Sequence, residues 1–249
     1  MSYIGEWKKQ EKKRFSGWNF SYFKNKMIEE KLPWNYNTMA KKLVRKSNSV
    51  LDMGTGGGEL FSTFGPFPTH TVATEGYKPN IILAKKRLET LGVKVIDFSN
   101  STARKMPFSD GEFDLVLNRH DAFDSREVFR ILSGGGVFLT QQVGRDNLKD
   151  LAKKFDKTSK YRNATFSLVK KGLEKAGFTV KDARDWKGEV EFKDVETIIY
   201  FLKAIPWIIP DFSIDRNLRH LEKLQNTLDS GKSLVFTHHR YLIFAQRKR

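Results

Sequence analysis

The chain has 249 residues, 39% hydrophobic and 13% aromatic, with 45 Lys and Arg against 29 Asp and Glu. Such a length and apolar content suit one large domain with a true core and exclude global disorder, and zero cysteines exclude disulfides, thiolate metal sites and a cysteine nucleophile. The net charge of +16 is concentrated in the flanks, residues 1–48 and 147–249, around a near-neutral middle; a field of that kind attracts polyanions or serves solubility.

The opening "MSYIGEWKKQEKK" has no apolar h-region and does not read as a secretory signal. Residues 1–48 read as leading helices carrying Trp7, Trp18, Phe20, Tyr22, Phe23, Trp34 and Tyr36. "SVLDM" is a strand, followed by a loop with four glycines in five residues, and "HTVATE" is the next strand. "NIILAKKRLETLG" has helical periodicity and closes on Gly92 as a C-cap. "VKVIDF" and "EFDLVLN" are a third and a fourth strand, "SREVFRIL" is a helix, and "GVFLTQQV" is a fifth strand entered through a glycine turn at Gly134–Gly136. A helix over "TFSLVKKGLEKAGF" precedes a weak strand, "TVKDARDW". Helical pattern then runs to His239, and "RYLIFAQRK" is a terminal strand. Alternating strands and helices predict a parallel βαβ sheet.

The division expected from this pattern is an N-terminal helical extension (1–48), an α/β core (49–187), a helical cap inserted before the last strand (188–239), and that last strand (240–249). The longest apolar run, "TIIYFLKAIPWIIP", is broken by Lys203 and Pro206 and is too short to span a bilayer. Without cysteine, signal or span, the expectation is a soluble cytoplasmic protein. Oligomeric state is not readable.

A chain that gives up side chains as densely as "DMGTGGGEL" does makes room for something to approach its backbone. A nucleoside triphosphate loop needs Lys-Ser or Lys-Thr after the glycines, and none follows. A dinucleotide fingerprint needs Gly at the sixth position from Gly54, where Glu59 stands. What remains is Asp52, Gly54, Gly56 and Gly58, a spacing suited to a loop bending under a nucleoside. With Glu75 ending the second strand, "STARKMPFSDGEFDLV" and "REVFRILSGGG", this sequence resembles the class I S-adenosylmethionine-dependent methyltransferases, in particular their type-11 methyltransferase-domain group.

That resemblance implies a Rossmann-like fold: a seven-stranded, mostly parallel sheet with helices on both faces. It also implies S-adenosylmethionine as cofactor, S-adenosylhomocysteine as product, and no metal. Cofactor contacts fall on Asp52, Gly54, Thr55, Gly56, Gly58, Glu75, Gly76 and Asn118, with Glu75 accepting from both ribose hydroxyls. Adenine contacts fall on Thr102 and Ala103, where Thr102 replaces the group's usual Asp. The acceptor would arrive at "LNRHDAFD". There His120 is the candidate base, Arg119 a holder of an anionic group, and Asp121 either an orienter of His120 or a cap for the following helix. The other histidines (His70, His220, His238 and His239) are weaker candidates. Phe201, Trp207, Ile208, Ile209 and Phe212 either line an apolar acceptor pocket or form the cap's own core. The expected partner is a small-molecule acceptor. The basic flanks with interleaved aromatics favour RNA as the alternative, and a non-catalytic binder of the cofactor is a third reading.

Overall fold

Runs such as Val50–Met53 and Leu115–Asn118 are buried without alternation, the pattern of strands covered on both faces by crossover helices. They lie at the centre of the sheet. The computed structural model describes residues 3–13, 23–99, 105–158 and 165–249, and among these the sheet has eight strands. In chain order they are β1 (Met27–Glu29), β2 (Ser49–Met53), β3 (His70–Glu75), β4 (Lys94–Asp97), β5 (Phe113–Arg119), β6 (Leu132–Val143), β7 (Phe178–Phe192) and β8 (Leu234–Arg247). The helices are α1 (Tyr3–Lys12), α2 (Tyr36–Val44), α3 (Lys78–Leu88), α4 (Ser125–Ile131), α5 (Lys149–Lys154), α6 (Phe166–Ala176), α7 (Val195–Ala204) and α8 (Ile214–Asp229). Trp18, Phe20, Tyr22, Thr102 and Ala103 lie outside the described residues.

Across the sheet the order is β1-β7-β8-β6-β5-β2-β3-β4. Strands β4, β3, β2, β5 and β6 are mutually parallel, and β8 runs antiparallel to both of its neighbours. This is the expected doubly wound arrangement, with one strand more than seven. The extra strand, β1, pairs antiparallel with the end of β7. At three residues it is too short to carry a period in the sequence.

One face of the sheet packs Val50, Leu115, Leu117, Leu139 and Leu242 against α2 and α3, through Ala40, Val44, Ala84 and Leu88. The other packs Leu51, Met53, Val116 and Phe138 against α4 and α6, through Val128, Ile131 and Leu173. Strands β7 and β8 continue beyond this core as a paired ribbon, from Lys187↔His239 to Phe192↔Leu234. There they meet α1, α5, α7 and α8 in a separate apolar cluster containing Trp7, Phe155, Phe192, Ile198, Leu221 and Phe236. Phe201 and Ile209 are inside that cluster and Ile208 and Phe212 pack at its margin. Of the two readings of these side chains, the cap's own core is the one realised. Trp207 is 40% exposed. The strand read as "TVKDARDW" extends to Phe192 and the last strand begins at Leu234, because the ribbon alternates wet and buried positions such as Glu189, Val190, Glu191 and Phe192. Among the described residues no helix is long and apolar enough to cross a membrane.

Candidate active site

Strand β2 ends at Met53, and the chain must turn sharply there. Gly54, Gly56 and Gly58 take φ of +67°, +65° and +76°, a region costly for residues with a Cβ. The loop is tied to β3. Thr55 N–H donates to the Thr74 carbonyl at 2.9 Å. The buried Glu75 carboxylate accepts from Gly56 N–H through Oε2 at 2.7 Å, and from Gly76 and Tyr77 N–H through Oε1 at 2.9 and 2.8 Å. Two donors occupy Oε1, so one acceptor lobe remains, on Oε2. In this arrangement Glu75 has room for one further hydroxyl rather than two.

Other glycine vacancies are filled by the chain itself. A Cβ on Gly58 would strike the Leu88 side chain, and one on Gly76 would strike Ser99. On Gly54 it would lie 2.3 Å from Asp121 Oδ2, so the Asp121 carboxylate lies directly over the loop. The cap of α4 is instead Asp124, which accepts from Arg126 and Glu127 N–H; the helix-cap alternative for Asp121 is corrected accordingly.

Asp52, Glu75 and Asp121 form an acidic trio about the loop. Burial pushes the Asp52 carboxyl up to about 7; Asp121 and Glu75 add to the rise, and Thr55 and Arg119 oppose it. A cation brought into this trio would favour the ionised form of Asp52. Beside it Asn118 is fully buried. Its Oδ1 accepts from Thr140 Oγ1 at 2.9 Å and from Gln142 Nε2, while its Nδ2 has no partner among the described residues. A buried donor left open in this way suits a ligand acceptor atom.

At the end of β5 the backbone of His120 adopts φ +61°, unusual for a residue with a side chain. Its N–H donates to the Gln141 carbonyl at 2.9 Å. His120 keeps surface exposure, yet desolvation by the surrounding protein, with Arg119, Arg240 and His238 nearby, holds its pKa well below the usual histidine range. The tautomer follows from a short chain of bonds. The buried Trp34 Nε1–H donates to Gln141 Oε1 at 2.8 Å, which turns the Gln141 amide nitrogen toward His120 Nε2, 3.2 Å away. An amide N–H can only donate, so His120 Nε2 accepts and its proton resides on Nδ1. The ring thus keeps Nδ1–H as its remaining donor.

Tyr36 OH reaches the Asn118 carbonyl at 3.4 Å, closing the recess from the N-terminal side. Trp34, Tyr36, Gln141, Gln142 and Arg240 are site-building residues that the motifs did not reveal. A polar pair, Gln141-Gln142, within the apolar "VFLTQQV" was the available signal. Of the other histidines, His70 bridges to Glu112 at 3.3 Å and His220 to Asp156 at 3.0 Å, both away from this edge. His239 is committed on both nitrogens, accepting from Asp146 N–H and meeting Asp185 Oδ1 at 2.7 Å. Asp114 pins the entry to β2 through Asn48 and Ser49 N–H. Among the described residues no group of three His, Cys, Asp or Glu has metal-holding geometry.

A parallel core closed by the reversed strand β8, a glycine loop leaving its central strand and a carboxylate closing the neighbouring strand define the class I methyltransferase fold, whose members use S-adenosylmethionine. The methyltransferase-domain family model matches residues 45–201, and the chain belongs to that family.

A Bacillus subtilis protein named as an uncharacterized methyltransferase, YcgJ, is 30% identical over 102 residues, covering 38% of this chain and 40% of its own length. A ubiquinone/menaquinone biosynthesis C-methyltransferase, UbiE of Pseudoalteromonas translucida, is 28% identical over 134 residues, 49% of this chain and 53% of its own. The chain therefore spans about half the length of the curated relatives it matches. The solved structure of YcgJ from Bacillus superposes with a TM-score of 0.61 at 18% identity, over 86% of this chain and 98% of that one. A [4+2]-cyclase, SpnF, shares the fold at a TM-score of 0.52 and 13% identity, over 88% of this chain and 85% of that one. Fold alone does not name the reaction.

Proposed function

We propose that this chain is an S-adenosylmethionine-dependent methyltransferase acting on a small-molecule acceptor in the cytoplasm. The observation that carries the reading is the Glu75-anchored glycine loop with its acidic trio, a site matched to a cationic adenosyl ligand. When bound, S-adenosylmethionine supplies an electrophilic methyl on a cationic sulfur for in-line displacement.

The chain's own residues divide the remaining work. Gly54, Gly56 and Gly58 supply the positive-φ backbone that shapes the loop, Thr55 N–H ties it to β3, and Gly76 makes room for Ser99 beside Glu75. Glu75 Oε2 accepts one ribose hydroxyl. Asp52 and Asp121 complement positive charge, and Asn118 Nδ2 donates to a ligand oxygen. Thr102 and Ala103 are assigned the adenine edge by family resemblance. On the acceptor side, His120 Nδ1–H orients the incoming group and Arg119 meets its negative charge; a base role for His120 would require the opposite tautomer.

The small-molecule reading is supported by the buried Trp34 and Tyr36, which bond to Gln141 of β6 and to the Asn118 carbonyl of β5 and so bring bulky aromatics to the acceptor edge. Quinone-pathway C-methyltransferases among the relatives agree with it. The RNA reading rests on the basic flanks with their interleaved aromatics. The basic side chains that share a recess, Lys181, Arg247, Lys248 and Arg249, sit at the other end of β8 from Arg240, away from Glu75.

Calorimetry with S-adenosylmethionine and S-adenosylhomocysteine, followed by labelled-methyl transfer into cell extract, tests these assignments. Heat with both compounds and label in the metabolite fraction are expected. Label in RNA would favour the alternative acceptor, binding without transfer would leave a non-catalytic binder, and no heat would end the cofactor reading.

A further inference from the structure

The acidic trio accounts for one half of the sheet's carboxyl edge. The other half carries a second polar cluster that the donor does not need. Its residues share the sheet face of Leu117 and Leu242, because alternate positions of a strand face the same way. On β5 this face presents Arg119. On β8 it presents Arg240, paired across the ladders with Val143 and Trp186, and then His238, paired with Gly188.

Three features of this cluster point to a missing anion. Among the described residues the Arg119 guanidinium makes no hydrogen bond or ion pair, although it is close enough to Arg240 and Glu29 to interact electrostatically with both. His238 is 3% exposed and both of its ring nitrogens lack hydrogen-bond partners. Its ring meets Trp186 edge-on at 5.6 Å. Asp52, paired with Leu117 in the ladder, acts electrostatically on Arg119. The carboxylate that approaches both Arg240 and His238 is Glu29, on the short edge strand β1. Its Oε1 stands 3.5 Å from His238 Nε2 and 3.6 Å from Arg240 Nη2, and its side chain is 45% exposed. Those separations exceed hydrogen-bond lengths. Two guanidiniums and a buried imidazole thus share the loosely placed Glu29, with Asp52 adding a weaker pull on Arg119.

We propose that Arg119, Arg240 and His238 form a seat for a carboxylate or phosphate group carried by the methyl acceptor. The assignment rests on the acceptor-side reading above and deepens it by naming the acceptor's charge class. A planar guanidinium offers paired N–H donors to such oxyanions. Arg240 is held in place by Asn147 Oδ1 at 2.6 Å and the His239 carbonyl at 2.9 Å, so it contributes a positioned charge. Burial, first, and its cationic neighbours keep His238 at about 3, so the ring is neutral near pH 7 and supplies one N–H donor. Arg119 lies next to His120 in the chain, so a seated anion would hold the remainder of its molecule beside the His120 ring.

The test uses the full chain at low salt, saturated with S-adenosylhomocysteine, and titrates it with inorganic phosphate, benzoate and neutral benzamide. Binding of phosphate or benzoate, with none for benzamide, is expected, and the preferred anion separates phosphate from carboxylate. Arg119→Met should weaken that binding at least tenfold while S-adenosylhomocysteine affinity stays within twofold; among the described residues this variant removes no hydrogen bond or ion pair. Arg240→Gln should behave likewise. Histidine-¹⁵N spectra of the unmodified chain provide an independent readout: the His238 resonances should move on adding the anion.

Absence of anion binding, equal binding by Arg119→Met, or an unmoved His238 overturns the seat. A tenfold fall in S-adenosylhomocysteine affinity on Arg119→Met also overturns it, by giving Arg119 to the donor's own carboxylate. Failure of S-adenosylhomocysteine itself to bind sinks the cofactor reading instead, and the two failures are distinguishable within one set of titrations.

Discussion

Two halves of one sheet edge carry opposite charge. At the ends of β2 and β3 the chain gathers Asp52 and Glu75, joined by Asp121 from the loop after β5; at the end of β5 and midway along β8 it places Arg119 and Arg240. The acidic half is built mainly on the glycine loop and the strand beside it, held by main-chain hydrogen bonds to Glu75, with Asp121 reaching over from the loop after β5. The cationic half is assembled from segments more than a hundred residues apart and roofed by Trp34 and Tyr36. The difference separates two tasks. A family-wide cofactor can be met by a compact, rigid motif, whereas acceptor recognition is left to longer-range elements that vary without disturbing that motif.

The largest effect is expected where the acidic half is anchored. Glu75→Ala removes three charge-assisted bonds to backbone N–H groups as well as the acceptor lobe on Oε2. With each such bond contributing about 1.5–3 kcal/mol, donor affinity should fall by at least about 3 kcal/mol, more than a hundredfold. The melting temperature should fall with it. Glu75→Gln retains acceptor capacity on one oxygen and should recover part of both losses. Calorimetry with S-adenosylhomocysteine checks this, and an affinity within fivefold of the unmodified chain would detach the loop from cofactor binding.

The contrast also explains what was readable beforehand. Asp52, the glycines and Glu75 stood out because positive φ at three positions and a carboxylate one strand later are constraints written in consecutive residues. The parallel strands were legible for a similar reason, since "SVLDM" and "FDLVLN" are covered on both faces and read as apolar runs. The ribbon was not. In "TVKDARDWKGEVEF" one face is wet and the charges mask a 15-residue strand. Likewise Trp34 reads as any buried aromatic until the fold sets it against Gln141, and His238 reads as half of a His-His pair until its partner His239 proves satisfied and it does not. Phe201 and Ile209 were ambiguous because a cap core and an acceptor pocket call for the same side chains.

A second prediction concerns the charge of the acidic half. Asp52 is protonated in the folded chain below about 7, whereas an ordinary aspartate ionises near 4. The folded state therefore binds the extra proton between those values, and the contribution of Asp52 to stability falls as pH rises through that window. Asp52→Asn should accordingly melt at a higher temperature than the unmodified chain at pH 8 and almost equally at pH 4. At about 1.4 kcal/mol per pH unit the gain is capped near about 4 kcal/mol. Donor binding should show the opposite trend. A sulfonium favours ionised Asp52, so the preference for S-adenosylmethionine over S-adenosylhomocysteine should grow about fivefold to tenfold from pH 6 to pH 8. In Asp52→Asn that growth should vanish, and its persistence would move the cation's partner to Asp121 or Glu75.

The smallest effect tests whether the acceptor half is tuned from the roof. Trp34→Phe keeps the ring but deletes the N–H that fixes the Gln141 amide. Gln141 Oε1 is then unpaired in a buried position, costing about 1–2 kcal/mol of stability. The amide is also free to turn its oxygen toward His120, which would draw the imidazole proton to Nε2. If His120 works through Nδ1–H, turnover should fall about threefold to tenfold while donor affinity stays within twofold, because no residue of the acidic half has moved. Histidine ¹⁵N shifts distinguish this from simple loosening: the His120 ring should shift toward the Nε2–H tautomer in the variant. A slower enzyme whose His120 tautomer is unchanged would make Trp34 a packing residue and leave the orientation of His120 to the left-handed backbone at its own position.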